Sequence, residues 1–320
     1  MNKSFTLIEI LVVIVVIGIL SAFILVGMNS ITDSANIAKS QALSESIKNS
    51  LTINTVALWG LNGTTSAGSP ATTNDIKDDW LNNNGILCTP GGIFTDPIPT
   101  VRSGSDCIKG SCLEFDNIDD QYYITENNDL KYMGQGMTLE SWIKINSSAT
   151  DRAYIFSNAW NGNGYYNYFF YWHTDSKLYF YLGGDVGQTK SISTTHTLSK
   201  NKWYHVIATT NTDKAMKIYV NGIVDSSDTH SITTWIPSLG GGDQNIQLSI
   251  GHLYRCDTSV PDRIFHGLMD ELRFFKEAVP SSQIQQNYFT GLNNLYKNKG
   301  ITKIEYGQRL TELRSNTAEN

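Results

Sequence analysis

NKWYHVIATTNTDKAMKIYVNGIV, residues 201–224, is the stretch that decides the fold class. Trp203–Thr210 and Met216–Val220 are short runs rich in aromatic and β-branched residues, the side chains that fit a pleated surface. The polar TDKA (residues 212–215) between them reads as a turn, so the two runs pair as an antiparallel hairpin. Asn221-Gly222 is a second turn signal, because a two-residue hairpin loop needs positive φ at both positions and Asn and Gly tolerate it. Trp203 alternates with polar neighbours and is expected in a core, and His205 is expected as a packed, hydrogen-bonded strand residue.

The same pattern extends in both directions. Leu113–Phe115, Gln121–Ile124, Met137–Ile145, Tyr168–His173, Leu178–Leu182, Gln247–Ile250 and Gly267–Phe275 read as strands between Gly, Asn, Asp and Ser clusters, and helical periodicity is absent until about residue 281. Trp142, on the third of these runs, is expected in the core for the same reason as Trp203. Charged residues make up only 17% of the chain while Tyr, Trp, Phe, Gly, Ser, Thr and Asn abound, which favours an antiparallel β domain over a helical bundle. The expected fold class is mainly β: an N-terminal transmembrane and stalk α-helix, then an antiparallel β-sandwich of the jelly-roll kind, and a short C-terminal helical hairpin.

Six segments, VALWGLNG (56–63), GSCLEFDNIDDQYYI (110–124), GMTLESWIKI (136–145), residues 201–224, LSIGH (248–252) and FHGLMDELRFFKEAVPSSQIQQNY (265–288), resemble in this order the landmarks of the concanavalin A-like, laminin-G-like jelly roll. The resemblance covers about residues 56–290. It implies two curved antiparallel sheets whose outer or concave faces bind carbohydrate or protein in many relatives, without saying which.

FTLIEILVVIVVIGILSAFILVGM (5–28) is apolar over about the 20 residues that a bilayer-spanning helix needs. Lys3 precedes it, so the positive-inside rule puts the start in the cytoplasm and the rest outside. Glu9 is out of place there: a carboxylate in hydrocarbon costs on the order of 3 kcal/mol unless it finds a partner. KSFTLIEILVVIVVIGIL (3–20) resembles the leader and first helix of type IV pilins and their secretion-system relatives. That resemblance implies cleavage between Ser4 and Phe5 by a prepilin peptidase, N-methylation of Phe5, and pairing of Glu9 with the new α-amino group of a neighbouring pilin-like subunit. Ser4 stands where the family usually carries Gly. A secretory signal peptide and a plain signal anchor are the alternatives; the former normally has a shorter apolar core, no acid and an A-x-A-like site.

The expected organisation is a leader (1–4), a transmembrane helix (5–28), a weakly amphipathic stalk helix (29–52), the β-sandwich (53–280) and a helical tail (281–320). In the tail, SSQIQQNYFTGLNNLYKNKG (281–300) ends at Gly300, and ITKIEYGQRLTEL (301–313) starts with a Thr302–Glu305 capping box. LNNLYKNKGITKIEYGQRLTEL (292–313) resembles the short SHOCT-type module.

The net charge of −6 falls after residue 28, because Lys3 and Glu9 cancel, and this argues against a nucleic-acid surface. Cys88, Cys107, Cys112 and Cys256 have no CxxC pairing and no His at zinc-ligand spacing, so disulfides outside the cytoplasm fit them, with three connectivities open.

Two kinds of site are expected in the head. Trp160, Tyr165, Tyr166 and Tyr168, in AWNGNGYYNYFFYWH (159–173), and Trp235 in another loop are candidates to stack on sugar rings. Asp116, Asp119, Asp120 and Asp270 offer the hard oxygen ligands that calcium takes, although Asp in loops routinely caps turns instead. Catalysis is not expected. A retaining glycosidase needs two carboxylates about 5.5 Å apart, and Asp270 and Glu271, as neighbours on a strand, should leave it on opposite faces. No nucleophile elbow or phosphate loop appears. The sequence thus reads as a subunit anchored in the cytoplasmic membrane, with an extracytoplasmic or filament-borne head that binds a glycan or protein in adhesion. Its partners would be other pilin-like subunits, the peptidase and the membrane. The alternative is a structural minor pilin or pseudopilin of a pilus, type II secretion or DNA-uptake machine; a glycoside hydrolase is the third class.

Overall fold

The computed structural model describes residues 55–88, 98–116, 136–159, 166–184, 187–233, 248–253 and 263–318, with Ile14, Ile118, Asp120, residues 122–124 and Leu130. The leader, the apolar segment with Glu9 and the stalk lie outside the described residues apart from Ile14, and among the described residues no helix is long and apolar enough to cross a membrane. The chain divides into two compact units, Met1–Ser50 and Leu51–Asn320, and the second holds every described strand.

In chain order the strands are β1 (Thr55–Trp59), β2 (Ile86–Leu87), β3 (Thr100–Ser103), β4 (Ser111–Asp116), β5 (Tyr122–Ile124), β6 (Met137–Ile145), β7 (Ala153–Ala159), β8 (Tyr166–Trp172), β9 (Leu178–Gly183), β10 (Thr189–Ser193), β11 (Trp203–Thr210), β12 (Ala215–Val220), β13 (Ile223–Thr229), β14 (Leu248–Ile250) and β15 (His266–Phe275). Two helices follow, α1 (Ser281–Lys297) and α2 (Lys303–Ala318). The strands form two antiparallel sheets. Sheet A runs β13-β12-β11-β6-β15-β4-β3, with β1 also pairing β15, and sheet B runs β10-β9-β8-β7-β14-β5-β2. β15 accommodates two neighbours on one side because its first half pairs β4 and its second half pairs β1.

The main core is built by alternation. Leu139, Ile143 and Ile145 of β6, Val206 and Ala208 of β11, and Met269, Leu272 and Phe274 of β15 join Phe156, Phe170, Phe180, Leu182 and Leu248 of sheet B in one cluster. β6 is buried along almost its whole length, however, because its other side is covered too. α1 lies there. Ile284, Tyr288, Gly291, Leu292 and Leu295 recur at helical spacing and are all buried. Tyr288, Leu292 and Leu295 form a second core with Trp142, Trp203, Leu268 and the two sulfur-bearing residues Cys107 and Cys112, edged by Ile301, Tyr306, Leu310 and Leu313 of the hairpin. Full burial of each large apolar side chain contributes roughly 1.5–3 kcal/mol. The approach is close enough to require Gly291: a Cβ there would sit 2.5 Å from Cζ2 of Trp142.

Trp142 and Trp203 are therefore core residues as expected, but of this outer core rather than the space between the sheets. The helical tail is part of the head. α1 closes with Lys299, not Gly300, in the left-handed conformation (φ 63°), and Thr302 Oγ1 accepts the Glu305 N–H at 3.2 Å to cap α2.

Candidate functional site

The two outer faces of the sandwich differ in what they offer. On sheet A, β6 and β11 point Glu140 and His205 outward, and β15 contributes Arg273; all three lie under α1. Glu140 is fully buried and accepts from His205 Nε2 at 3.0 Å, from the Arg273 guanidinium, and from Asn287 of α1. Arg273 also pairs with Glu271 at 2.5 Å. Burial pushes the Glu140 carboxyl up, but Arg273, His205 and Asn287 outweigh burial and hold it down at about 2. His205 is indeed packed and hydrogen-bonded, against the rings of Trp142 (5.1 Å) and Tyr288 (5.9 Å).

Asp270 and Glu271 do not leave β15 on opposite faces as strand alternation predicts. The register slips between Asp270 and Arg273, and Glu271 has φ 50°, so a bulge turns both carboxylates to the outer side. Asp270 is buried and accepts the backbone N–H groups of Ile108 (2.8 Å), Lys109 (3.1 Å) and Glu271 (2.7 Å). Burial, and then the Glu271 carboxylate, push its carboxyl well above the usual range. Three acids thus converge on sheet A, but each has its partners and all lie beneath the helix or the adjoining loop. That loop is stapled by the Cys107–Cys112 disulfide, with S–S 2.06 Å. Cys88 is disulfide-bonded as well, and no described cysteine is free; Cys256 lies outside the described residues.

Sheet B has no helix among the described residues on its outer face. β8 is aromatic on both sides: Tyr168, Phe170 and Trp172 enter the main core, while Phe169 and Tyr171 point outward. Their register partners continue the pattern, giving the cross-strand rows Tyr154–Tyr171–Tyr179 and Phe169–Tyr181. The rings stack at 4.8, 5.4 and 4.9 Å with planes 16°, 16° and 23° apart. Such pairs are each worth about 0.5–1.5 kcal/mol beyond area burial. Burial pushes the Tyr154 hydroxyl up to about 12, whereas Tyr171, Tyr179 and Tyr181 are only partly buried and reach solvent. At one end of the longer row Arg152 hydrogen-bonds Tyr154. At the other, the Tyr179 hydroxyl donates to Asp175 Oδ2 at 2.7 Å and His173 packs against the ring at 5.2 Å.

Of the aromatic candidates read from sequence, Tyr168 is fully buried and donates its hydroxyl to Leu130 O at 3.0 Å, so it belongs to the core. Tyr166 begins β8, and Trp160, Tyr165 and Trp235 lie outside the described residues. The outward set was missed, although its signal was present: YNYFFYW (166–172) is aromatic at both parities, so one parity must face away from the core. The acidic candidates divide. Asp120 accepts the Asp116 N–H at 2.8 Å and Asp116 accepts the Ile118 N–H at 2.8 Å, which is turn capping. Asp270 lies four residues along β15 from His266, the register partner of Asp116, so it stands about 13 Å from them. Asp119 lies outside the described residues, among which no group of three or more His, Cys, Asp or Glu is arranged to hold a metal.

A cavity of about 410 Å³ lies between the sandwich and α2, lined by Lys144, Asn201, Lys202, Trp203, Gly300 and Arg309 among others. Its wall is occupied by the Arg309–Glu305 ion pair (2.7 Å) and it presents no aromatic row.

Residues 116–285 match the family model described as the concanavalin A-like lectin/glucanases superfamily, and residues 1–25 match the prokaryotic N-terminal methylation motif. No curated protein was found to match the chain. Among solved structures, the binding domain of Paraclostridial Mosquitocidal Protein 1 is similar at 16% identity and TM-score 0.54, over 76% of this chain and 53% of that one. This chain thus spans about half the length of that domain. Domain 4 of AbnA, an extracellular arabinanase from Geobacillus stearothermophilus solved with arabinotriose, is similar at 19% identity and TM-score 0.51, over 72% of this chain and 97% of that one. At these identities the likeness is one of fold.

Proposed function

The chain belongs to the concanavalin A-like lectin/glucanases superfamily, and from that premise we propose that it is a surface-displayed, pilin-like subunit whose head binds carbohydrate in adhesion. The observation that carries this reading is the asymmetry of the two faces. Sheet A is closed by the chain's own hairpin, while sheet B turns two rows of stacked aromatics outward, of which Tyr171, Tyr179 and Tyr181 are partly exposed. Aromatic rings held in place by their neighbours stack on sugars with little loss of conformational freedom. The arabinotriose complex of a domain with the same fold supports the choice of ligand class. The methylation motif supports membrane anchoring through residues 5–28, with Glu9 paired inside an assembly.

The test has two arms. Mass spectrometry of the N-terminus from membrane fractions should find methylated Phe5, and an intact Met1 would sink the pilin-like assignment. Glycan arrays probed with the full chain, with and without calcium, should give saturable binding; a blank array in both conditions removes the adhesive role and leaves the structural-subunit reading.

A further inference from the structure

The aromatic face of sheet B ends in a step. Tyr179 on β9 is flanked in register by Tyr171 on one side and by Ser193 of β10 on the other. Its ring stacks on Tyr171 at 5.4 Å with planes 16° apart, so the ring normal runs across the strands. On its other side stands Ser193, whose hydroxyl bonds the Tyr179 hydroxyl, and the ring is only partly buried.

The ring is also fixed. Its hydroxyl donates to Asp175 Oδ2 at 2.7 Å, and His173 sits against its edge at 5.2 Å with planes 60° apart. Asp175 is itself held in the tight turn between β8 and β9, where it accepts the Lys177 N–H at 3.1 Å and has His173 Nδ1 at 3.3 Å from Oδ1, with Ser176 at φ 66°. A carboxylate offers about four acceptor positions. Three neighbours approach it here, and its side chain is 39% exposed, so acceptor capacity remains toward solvent. These features combine a partly exposed ring, held through its hydroxyl by Ser193 and Asp175, with an anionic acceptor beside it. A sugar ring matches them, with a C–H face to stack and hydroxyls to donate. A sugar carrying its own carboxylate would meet Asp175 as a like charge.

We propose that Tyr179 and Asp175 form a subsite for a neutral sugar, stacked on the exposed part of the Tyr179 ring with its hydroxyls donating to Asp175. The proposal rests on the reading of sheet B as a glycan-binding face and narrows it to one place and one ligand class.

Titration calorimetry of the full chain in detergent tests it, using cellotriose, maltotriose and arabinotriose as neutral probes and sialyllactose as the charged comparison. At least one neutral trisaccharide should bind more tightly than sialyllactose. Tyr179→Ala should weaken it by about tenfold, the loss of one stacking contact. Tyr179→Phe, which keeps the ring but unties it from Asp175, and Asp175→Asn should each weaken it about threefold. Tyr296→Ala, on the helical hairpin, should leave binding unchanged, and equal melting temperatures should show that all variants fold. Neutral binding that survives Tyr179→Ala, or a preference for sialyllactose, overturns the subsite while leaving the glycan-binding reading intact. Failure of every neutral probe also overturns it, and a blank glycan array would then remove the wider reading with it.

Discussion

Asn287 of α1 donates through Nδ2 to both carboxylate oxygens of Glu140, at 3.0 Å each. The helix that covers sheet A is thus keyed to a charge inside the sheet, and Glu140 joins α1 to β11 and β15 through His205 and Arg273. Breaking a buried ion pair from one side is far costlier than losing one neutral partner, because the remaining charge is stranded. Glu140→Gln should therefore destabilise the head by about 3–5 kcal/mol. Asn287→Ala should cost about 1.5–3 kcal/mol, the worth of a hydrogen bond to a charged group. Urea unfolding with an unchanged m-value measures both; equal losses would mean that the charge is not what holds the network.

The same carboxylate sets the response to acid. Its value falls from an ordinary 4.5 to about 2 in the folded protein. A depressed carboxyl contributes stability that is fully present above the unfolded value and is lost as pH falls through the folded one. The window is therefore pH 4.5 down to about 2, and the loss is on the order of 3 kcal/mol. Asp270 acts with the opposite sign, since its raised carboxyl favours the protonated fold, and that gain is complete once pH is below its ordinary 3.8. Melting temperature should fall steeply between pH 4.5 and 2 in the parent protein and much less in Glu140→Gln. Parallel curves would refute the assignment.

How far the sequence reveals this protein depends on whether a residue's neighbours lie on its own strand. Met137–Ile145 and Trp203–Thr210 match the observed strands because their alternation is uninterrupted. β10 and β13 escaped because TKSIS and IVDSSDT are polar edge strands, and β7 because two register shifts break its period. Alternation shows that Trp142 is buried but not by which layer, and α1 is encoded some 140 residues later. The Glu271 bulge was invisible for a related reason: a non-glycine residue at φ 50° is held there by its surroundings, here the ion pair with Arg273, and nothing local announces it.

The disulfide loop and Asp270 should behave as one unit. A disulfide at a sequence separation of 5 closes a small loop and contributes about 2 kcal/mol by chain entropy. Asp270→Ala leaves the buried N–H of Ile108 and the part-buried N–H of Lys109 without their acceptor, at about 1–3 kcal/mol each. Because the bridge positions the N–H groups that Asp270 accepts, a double-mutant cycle of Asp270→Ala with Cys107→Ser/Cys112→Ser should show coupling of about 0.5–3 kcal/mol. Strictly additive losses would show that the loop holds its shape without the bridge.

Two glycines in the helical hairpin separate packing from helix propensity. Replacing Gly with Ala in a helix interior gains about 1 kcal/mol when nothing is in the way. Gly307 of α2 is such a site, because a Cβ there meets nothing within 4 Å. At Gly291 of α1 the same Cβ would lie 2.5 Å from Trp142 Cζ2 and 2.6 Å from its Nε1. Trp142 packs against both His205 and Tyr288, so it cannot yield without moving those rings. Overpacking of this kind costs about 1–3 kcal/mol and outweighs the gain in propensity. Gly307→Ala should therefore raise the melting temperature and Gly291→Ala should lower it. If α1 rested on sheet A only loosely, both would stabilise, and the claim that the hairpin is built into the head would fail with that result.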